Sequence, residues 1–362
     1  GSGTNTISAP FINTGTVEAN TGTIQLTAGG VLGGLYHAST ETSAVLLTAS
    51  SFTPGGRVEC RGPGRAGLVG GGFSGQGSLD GSFNWYGGSI GAIESYAVIT
   101  VPSGASLNLI GSGTKTLYGA LINAGTVRWL EGPISITGRN LFGTLQNLPG
   151  AVFEIQCDAS LATPGVTSEV FINGGLVHKT QGAGTNTILA RINNTGTVQA
   201  LTGAIQFLGG GRFEGILHAE TATAAVTLAG GDFTLTGPVE CRGPGQAGLG
   251  GGSIAGRSSL RGTLNWYRGD LAGGASLTIE PDGVLDLLGD HNRDIYGALT
   301  NSGTIHWLGG GLRVRSDYGW NAAFYNQPSG LLHIRCDGQL SYLHCAHSRP
   351  PLFENSGRVR KS

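Results

Sequence analysis

Methionine is absent from this 362-residue chain, charged residues make up only 12% of it, and no run of 18 apolar residues occurs. Each gap excludes something. The net charge of −1 and the scatter of the 21 basic residues leave no electrostatic footprint for nucleic acid or anionic lipid. Without a long apolar run, nothing is built to insert in a membrane as a helix. Five cysteines are an odd count; Cys60 and Cys241 occupy equivalent places far apart, as do Cys157 and Cys336, so no disulfide framework is expected and these four read as small buried residues in strands. Glycine interrupts every stretch that approaches the 3.6-residue apolar period, so helix content should be close to nil. Disorder is excluded as well, because apolar residues reach 39% while charge is low.

What the chain has in abundance is glycine, 67 residues, and repetition. GTNTISAPFINTGTVEANTGTIQL from Gly3 returns as GTNTILARINNTGTVQALTGAIQF from Gly184, VECRGPGRAGL from Val58 as VECRGPGQAGL from Val239, and FNWY from Phe83 as LNWY from Leu264. The offset is constant, 184 − 3 = 239 − 58 = 264 − 83 = 181, and shortens to 295 − 117 = 178 between LYGALINAGTVRW and IYGALTNSGTIHW. Two tandem units of about 181 residues follow, 1–183 and 184–362, expected to stack end to end as one rod. The closing FENSGRVRKS matches FINGGLVHKT, which precedes the second GTNTI, so a third copy is expected to begin where this chain stops; with the leading Gly1-Ser2 and the missing methionine, the chain reads as a fragment of a longer array.

Inside each unit a shorter phrase recurs: INTGTV at Ile12, INAGTV at Ile122, QNLPGAVF at Gln146, INGGLV at Ile172, NNTGTV at Asn193, TNSGTI at Thr300 and ENSGRV at Glu354. Successive asparagines, Asn123, Asn147, Asn173 and Asn194, lie 24, 26 and 21 residues apart. Strands such as GTVRWL alternate apolar and polar residues but are too short to bury their apolar face alone, so consecutive coils must stack. The expected fold is therefore all-β, a right-handed parallel β-helix (β-solenoid). At ~22 residues per coil and ~4.8 Å of rise, the chain makes about 16 coils and a rod roughly 75 Å long. Asparagines at one point of successive coils should bond amide to amide along a column. The glycine-rich stretches Leu68–Gly81 and Leu249–Gly262 read as turns or projecting loops.

The phrases FINTGTVEANTGTIQLTAGG, FINGGLVHKTQGAGTNTI and INNTGTVQALTGAIQFLGGG resemble repeats of very large bacterial surface and secreted proteins, of the filamentous haemagglutinin and autotransporter-passenger kind. The resemblance implies a parallel β-helix at the cell surface or outside the cell, working as a stalk, spacer or adhesin. Neighbouring repeats of the same parent chain, and carbohydrate or a host or cell surface, are the partners this implies; no cofactor is expected.

The candidate sites are few. Asn84, Trp85 and Tyr86 recur as Asn265, Trp266 and Tyr267; adjacent strand residues face opposite ways, so one aromatic of each pair should point outward and, with the amide, offer a stacking face to a sugar. Trp129 and Trp307 are expected to stack in columns of their own. The competing function is a polysaccharide-binding or polysaccharide-degrading β-helix, a lyase or glycosidase, which needs clustered acids. Most acids differ between the copies: Glu18 is matched by Gln199, Asp80 by Arg261, Glu131 by Gly309 and Glu154 by His333. Only Glu59/Glu240 and Asp158/Asp337 persist, and Glu59 beside Arg61, like Glu240 beside Arg242, reads as an ion pair more than as a catalyst, so no enzyme is expected. Asp290, Asn292 and Asp294 give a weak calcium-like run, replacing Ser112, Thr114 and Thr116. Cys336, His344, Cys345 and His347 match no zinc spacing, so no metal is assigned. Gly62, Gly64 and Gly67 spell a phosphate-loop pattern, repeated at Gly243, Gly245 and Gly248, but no helix can follow and a tight turn is expected; Arg268-Gly269-Asp270 is read as a chance tripeptide. An ice-binding face of threonines is disfavoured because the TNT and TGT runs fall mostly in turns.

Overall fold

A computed structural model describes residues 1–49, 51–92, 95–137, 143–164, 170–316, 322–344 and 350–362. Among them there are 42 strands and no helix. Parallel strands stack as a β-solenoid of about 15 turns, close to the 16 expected, and the chain divides into two compact units, Gly1–Ala190 and Arg191–Ser362. Among the described residues one isolated bridge occurs, antiparallel, between Ala92 and Ser95.

Within a unit each strand pairs with its equivalent one coil on. Thr126–Trp129 lies in register between Ser106–Leu109 and Val152–Ile155, and Thr304–Trp307 runs between the end of Ser276–Leu287 and Leu331–Ile334. Coil length is not constant. The partners Gly67 and Asn84 are 84 − 67 = 17 residues apart, whereas Gly88 and Lys115 are 115 − 88 = 27. The strands stay aligned and the corners absorb the difference.

Alternation decides the core. The strands Thr126–Trp129, Val152–Ile155 and Leu299's strand Ala298–Asn301 each bury every second side chain, and Leu107, Val127, Phe153 and Val177 follow one another along the interior. Burial of such side chains is the main stabilising term, about 25 cal/mol per Å2 of apolar surface. The expected asparagine columns form. Asn123 Nδ2 donates to Asn147 Oδ1 at 2.8 Å and Asn147 Nδ2 to Asn173 Oδ1 at 2.8 Å. In the second unit Asn301 donates to Asn326 at 2.8 Å and Asn326 to Asn355 at 2.7 Å. The amides of Asn123, Asn147, Asn301 and Asn326 also reach a backbone carbonyl of the coil beyond, as Asn123 does to Val152 O at 2.9 Å. These buried donors are satisfied along the stack, and Asn301 Oδ1 at the head of its column is left without a partner among the described residues.

The glycine-rich stretches are not projecting loops. Gly75–Trp85 and Ser253–Trp266 are long strands inside the stack. Gly81 and Gly262 have φ of 68° and 69°, and a Cβ there would sit 2.0 Å from Cys60 O and 1.8 Å from Cys241 O. Glycine serves close approach of one coil to the next. Cys60 and Cys241 are buried as expected, and burial pushes their thiols up, that of Cys241 to about 12. Cys157 and Cys336 differ from expectation: both lie in turns, half-buried.

Candidate functional site

Two neighbouring columns carry the candidate tryptophans and asparagines, with Tyr86 and Tyr267 immediately following. Facing inward in the first unit are Leu68, Trp85, Leu109, Trp129, Ile155 and Lys179, one per coil. The second unit repeats the series as Leu249, Trp266, Leu287, Trp307, Ile334 and Lys361. One residue earlier on each strand is the outward column. It runs Asn84, Asn108, Arg128, Glu154 and His178 in the first unit, and Asn265, Asp286, His306, His333 and Arg360 in the second.

This register settles which aromatic faces out. Trp85 and Trp266 are 2% and 1% exposed, in the core. Their indole N–H groups donate to corner carbonyls, Trp85 to Gly87 O at 3.0 Å and Trp266 to Arg268 O at 2.9 Å. Trp129 and Trp307 do the same to Gly132 O and Gly310 O at 2.7 and 2.8 Å, and Trp129 also packs at a tilt on Phe153 with ring centroids 6.2 Å apart. These four tryptophans thus pin the corner that follows their own strand, and none of their indole faces is open to a ligand; Trp320 lies outside the described residues. Tyr86 and Tyr267 are the half-buried outward partners; burial raises both phenols, against the charge of Arg65 at Tyr86 and reinforced by that of Asp286 at Tyr267. Asn84 and Asn265 stand beside them, each 8% exposed, and Asn84 Oδ1 accepts from Asn108 Nδ2 at 3.0 Å.

The acids shared by the two copies are engaged by cations. Glu59 pairs with Arg61 and, at 3.3 Å, with Arg57, which also reaches Asp80 at 3.0 Å. Arg242 grips Glu240 through two bonds of 2.6 and 3.0 Å, and this hydrogen bonding holds the Glu240 carboxyl below the usual carboxylate range. Such a group stays ionised, the wrong state for a general acid. The sequence reading missed Glu214, which lines an open surface groove with Thr195, Gly215, Ile216, Pro238 and Glu240. Copy one has Gly33 at the equivalent place, 214 − 181 = 33, so a search for duplicated acids passes over it. Asp158 is held ionised by its hydrogen bond from Lys179 at 2.7 Å, and Asp337 by that from Lys361 at 2.8 Å.

The interior also holds cations that alternation does not reveal. Lys115, Lys179 and Arg293 are all fully buried. Lys179 Nζ donates to Cys157 O at 3.0 Å, Asp158 Oδ1 at 2.7 Å and Asn186 Oδ1 at 2.7 Å, using its three protons. Lys115 Nζ reaches Gly111 O and, at 2.9 Å, Glu131 O. Arg293, at the equivalent position since 293 − 115 = 178, donates Nε to Trp266 O at 3.0 Å and Nη1 to His291 O and Gly309 O, both at 3.1 Å. Its Nη2 serves Tyr267 O at 3.2 Å and Leu288 O. Burial pushes Lys115 down to about 8 and Arg293 to about 10. At these corners backbone carbonyls converge, most of them without a backbone partner (Trp266 O, which also accepts from the Leu288 N–H at 3.0 Å, is the exception), and a side-chain cation satisfies them. One signal was available in the sequence: cation replaces cation at 115/293, and lysine recurs at 179/361.

The remaining candidates do not assemble a site. Asp294 is gripped by Arg313 at 2.5 and 2.9 Å and by Arg315 at 3.2 Å, while the Asp290 side chain lies in solvent against His291 at 2.7 Å. Asp290 and Asp294 thus diverge, because the strand that puts Asp294 among arginines leaves Asp290 in the preceding turn. No three His, Cys, Asp or Glu converge on a metal among the described residues; of the zinc candidates, Cys345, His347 and the side chain of His344 lie outside them. Asp270 is half-buried and accepts from the Asp294 N–H at 3.1 Å, and its carboxyl is raised by that burial. Gly62 and Gly243 have φ of 95° and 85° in turns that lead into the strands Arg65–Leu68 and Gln246–Leu249, as expected for a turn and not for a phosphate loop. Compared with protein-family models, with curated proteins and with solved structures, the chain matches none.

Proposed function

We propose that the chain is a structural and adhesive rod module of a larger bacterial surface or secreted protein, working outside the cell as a stalk or spacer between neighbouring copies of its own repeat. The observation that carries this reading is where the repeated polar side chains go. The asparagine columns, the buried lysines and the tryptophan indoles all bond one coil to another or to its corner, and the duplicated acids Glu59 and Glu240 are bound by arginines. Function duplicated with the unit is then mechanical continuity. The resemblance of the FINTGTVEANTGTIQL phrases to haemagglutinin-type and autotransporter passenger repeats supports it independently. A panel of acidic and neutral glycans, scored for reducing-end release and for retention, tests it. No release is expected from the wild-type chain, and release abolished by Glu59→Gln or Glu240→Gln overturns it.

A second reading, polysaccharide binding or cleavage, is favoured by two observations. Tyr86 and Tyr267 sit half-exposed beside Asn84 and Asn265, and Glu214 shares an open groove with Glu240. Retention of a glycan lost on Tyr86→Ala and Tyr267→Ala would establish binding; release lost on Glu214→Gln would establish an enzyme.

A further inference from the structure

The outward column of the second unit differs in chemistry from its counterpart. Asp286, His306 and His333 occupy consecutive coils in register, where the first unit has Asn108, Arg128 and Glu154. In the first unit these residues form a closed polar ladder, with Arg128 paired to Glu154 at 3.4 Å. In the second, His306 Nδ1 lies 2.8 Å from Asp286 Oδ1, and the His306 and His333 ring centroids are 5.8 Å apart at an interplanar angle of 73°.

We infer that His306 and His333 form a two-imidazole site for a divalent transition-metal ion of the zinc or copper kind, with Asp286 as the residue that positions His306. Three features support it. The Asp286 contact engages Nδ1 of His306 and leaves Nε2 as the ligating atom, facing away from the aspartate; a carboxylate behind a histidine is the usual way such a ring is oriented and made more basic. His333 Nε2 contacts Ser362 Oγ at 2.8 Å, leaving Nδ1 as its ligating atom. An ion ~2.0–2.1 Å from an imidazole nitrogen lies about 3.2 Å from the ring centre, so two rings sharing a tetrahedral ion have centres roughly 5–6 Å apart. The observed separation falls in that range, and water completes the coordination. Imidazole suits zinc, copper and nickel and does not suit calcium or magnesium, which fixes the class of ion. The half-exposed position of His306 gives the ion a path from solvent.

The test uses the full chain and Zn2+ alone. Titration calorimetry on the wild type is compared with the double variant His306→Arg, His333→Glu, which installs the pair the first unit already carries at this position and so is compatible with the fold. The double variant is expected to bind one Zn2+ fewer per chain while its metal-free thermal unfolding matches the wild type. Asp286→Asn should keep the site but weaken it about 10–100-fold. With Cu2+, the wild-type resonance spectrum should show two coordinating nitrogens that the double variant lacks. Equal Zn2+ stoichiometry and affinity in wild type and double variant overturns the site, and an Asp286→Asn affinity equal to wild type overturns the positioning role.

Discussion

Replacing Arg293 with alanine tests the claim that buried cations hold the corners. The guanidinium is fully buried and donates to five carbonyls, those of Trp266, Tyr267, Leu288, His291 and Gly309. A buried acceptor left dry costs about 1–3 kcal/mol. The space vacated by the side chain admits water, and each ordered water serves about 2–4 polar groups, so one or two carbonyls stay unsatisfied. The expected loss is therefore about 1–6 kcal/mol, centred near 3, for the second unit. Arg293→Lys, which installs the copy-one residue, supplies three donors in place of five and should fall between alanine and wild type. Urea unfolding followed by tryptophan emission measures this, since Trp266 lies in the same corner. An Arg293→Ala protein within 0.5 kcal/mol of wild type would refute the idea, because five hydrogen bonds to a desolvated charge cannot vanish without cost unless the carbonyls were solvated from the start.

Three further outcomes are expected. Burial lowers Lys115 from 10.5 to about 8, so the unfolded chain binds more protons than the folded one between those values; wild-type stability should rise relative to Lys115→Met as pH goes from 8 to 10.5, by at most about 1.4 kcal/mol per pH unit, and a relative fall in paired denaturant titrations would be the wrong sign. Asn147→Ala, which cuts the column between Asn123 and Asn173, should cost about 2–4 kcal/mol, whereas Asn355→Ala at an exposed position should cost under ~1 kcal/mol; equal losses in chemical denaturation would contradict the column. The second unit has an aliphatic cavity lined in part by Leu217, Ile254 and Leu264, where copy one has Tyr36, Phe73 and Phe83. Leu264→Phe should stabilise by about 0.5–2 kcal/mol and Phe83→Leu should destabilise, both read from calorimetric melting, and destabilisation by Leu264→Phe would mean the space is too tight for the ring.

The stacking itself was legible, because asparagines recurring every two dozen residues, each followed by a small residue and an alternating strand, require one coil per recurrence. The duplication was legible residue by residue. Which of Trp85 and Tyr86 enters the core was not, since alternation says only that the two diverge; the decision belongs to Leu68 and Leu109 on the neighbouring coils. The glycine-rich strands were misread because glycine signals a turn and a close backbone approach equally well, and only the position of Cys60 O under Gly81 distinguishes them. Lys115, Lys179 and Arg293 were hidden by the same habit, in which a charge counts as outward-facing. Asp286 and His306 gave no signal at all, because nothing in the sequence states that residues 306 − 286 = 20 apart share a column.

Coil perimeters here vary from 17 residues, between Gly67 and Asn84, to 352 − 323 = 29, between Ala323 and Leu352, while the paired strands hold their alignment. The chain can thus lengthen or shorten a bend without disturbing the hydrogen-bonded walls, much as a spiral stair keeps its treads aligned when one landing is widened. Foreign peptides grafted at a wide, open bend such as the one between Ala97–Val101 and Ser106–Leu109 would be displayed on the surface at no expense to the wall, and evolution has the same freedom to diversify what each turn presents.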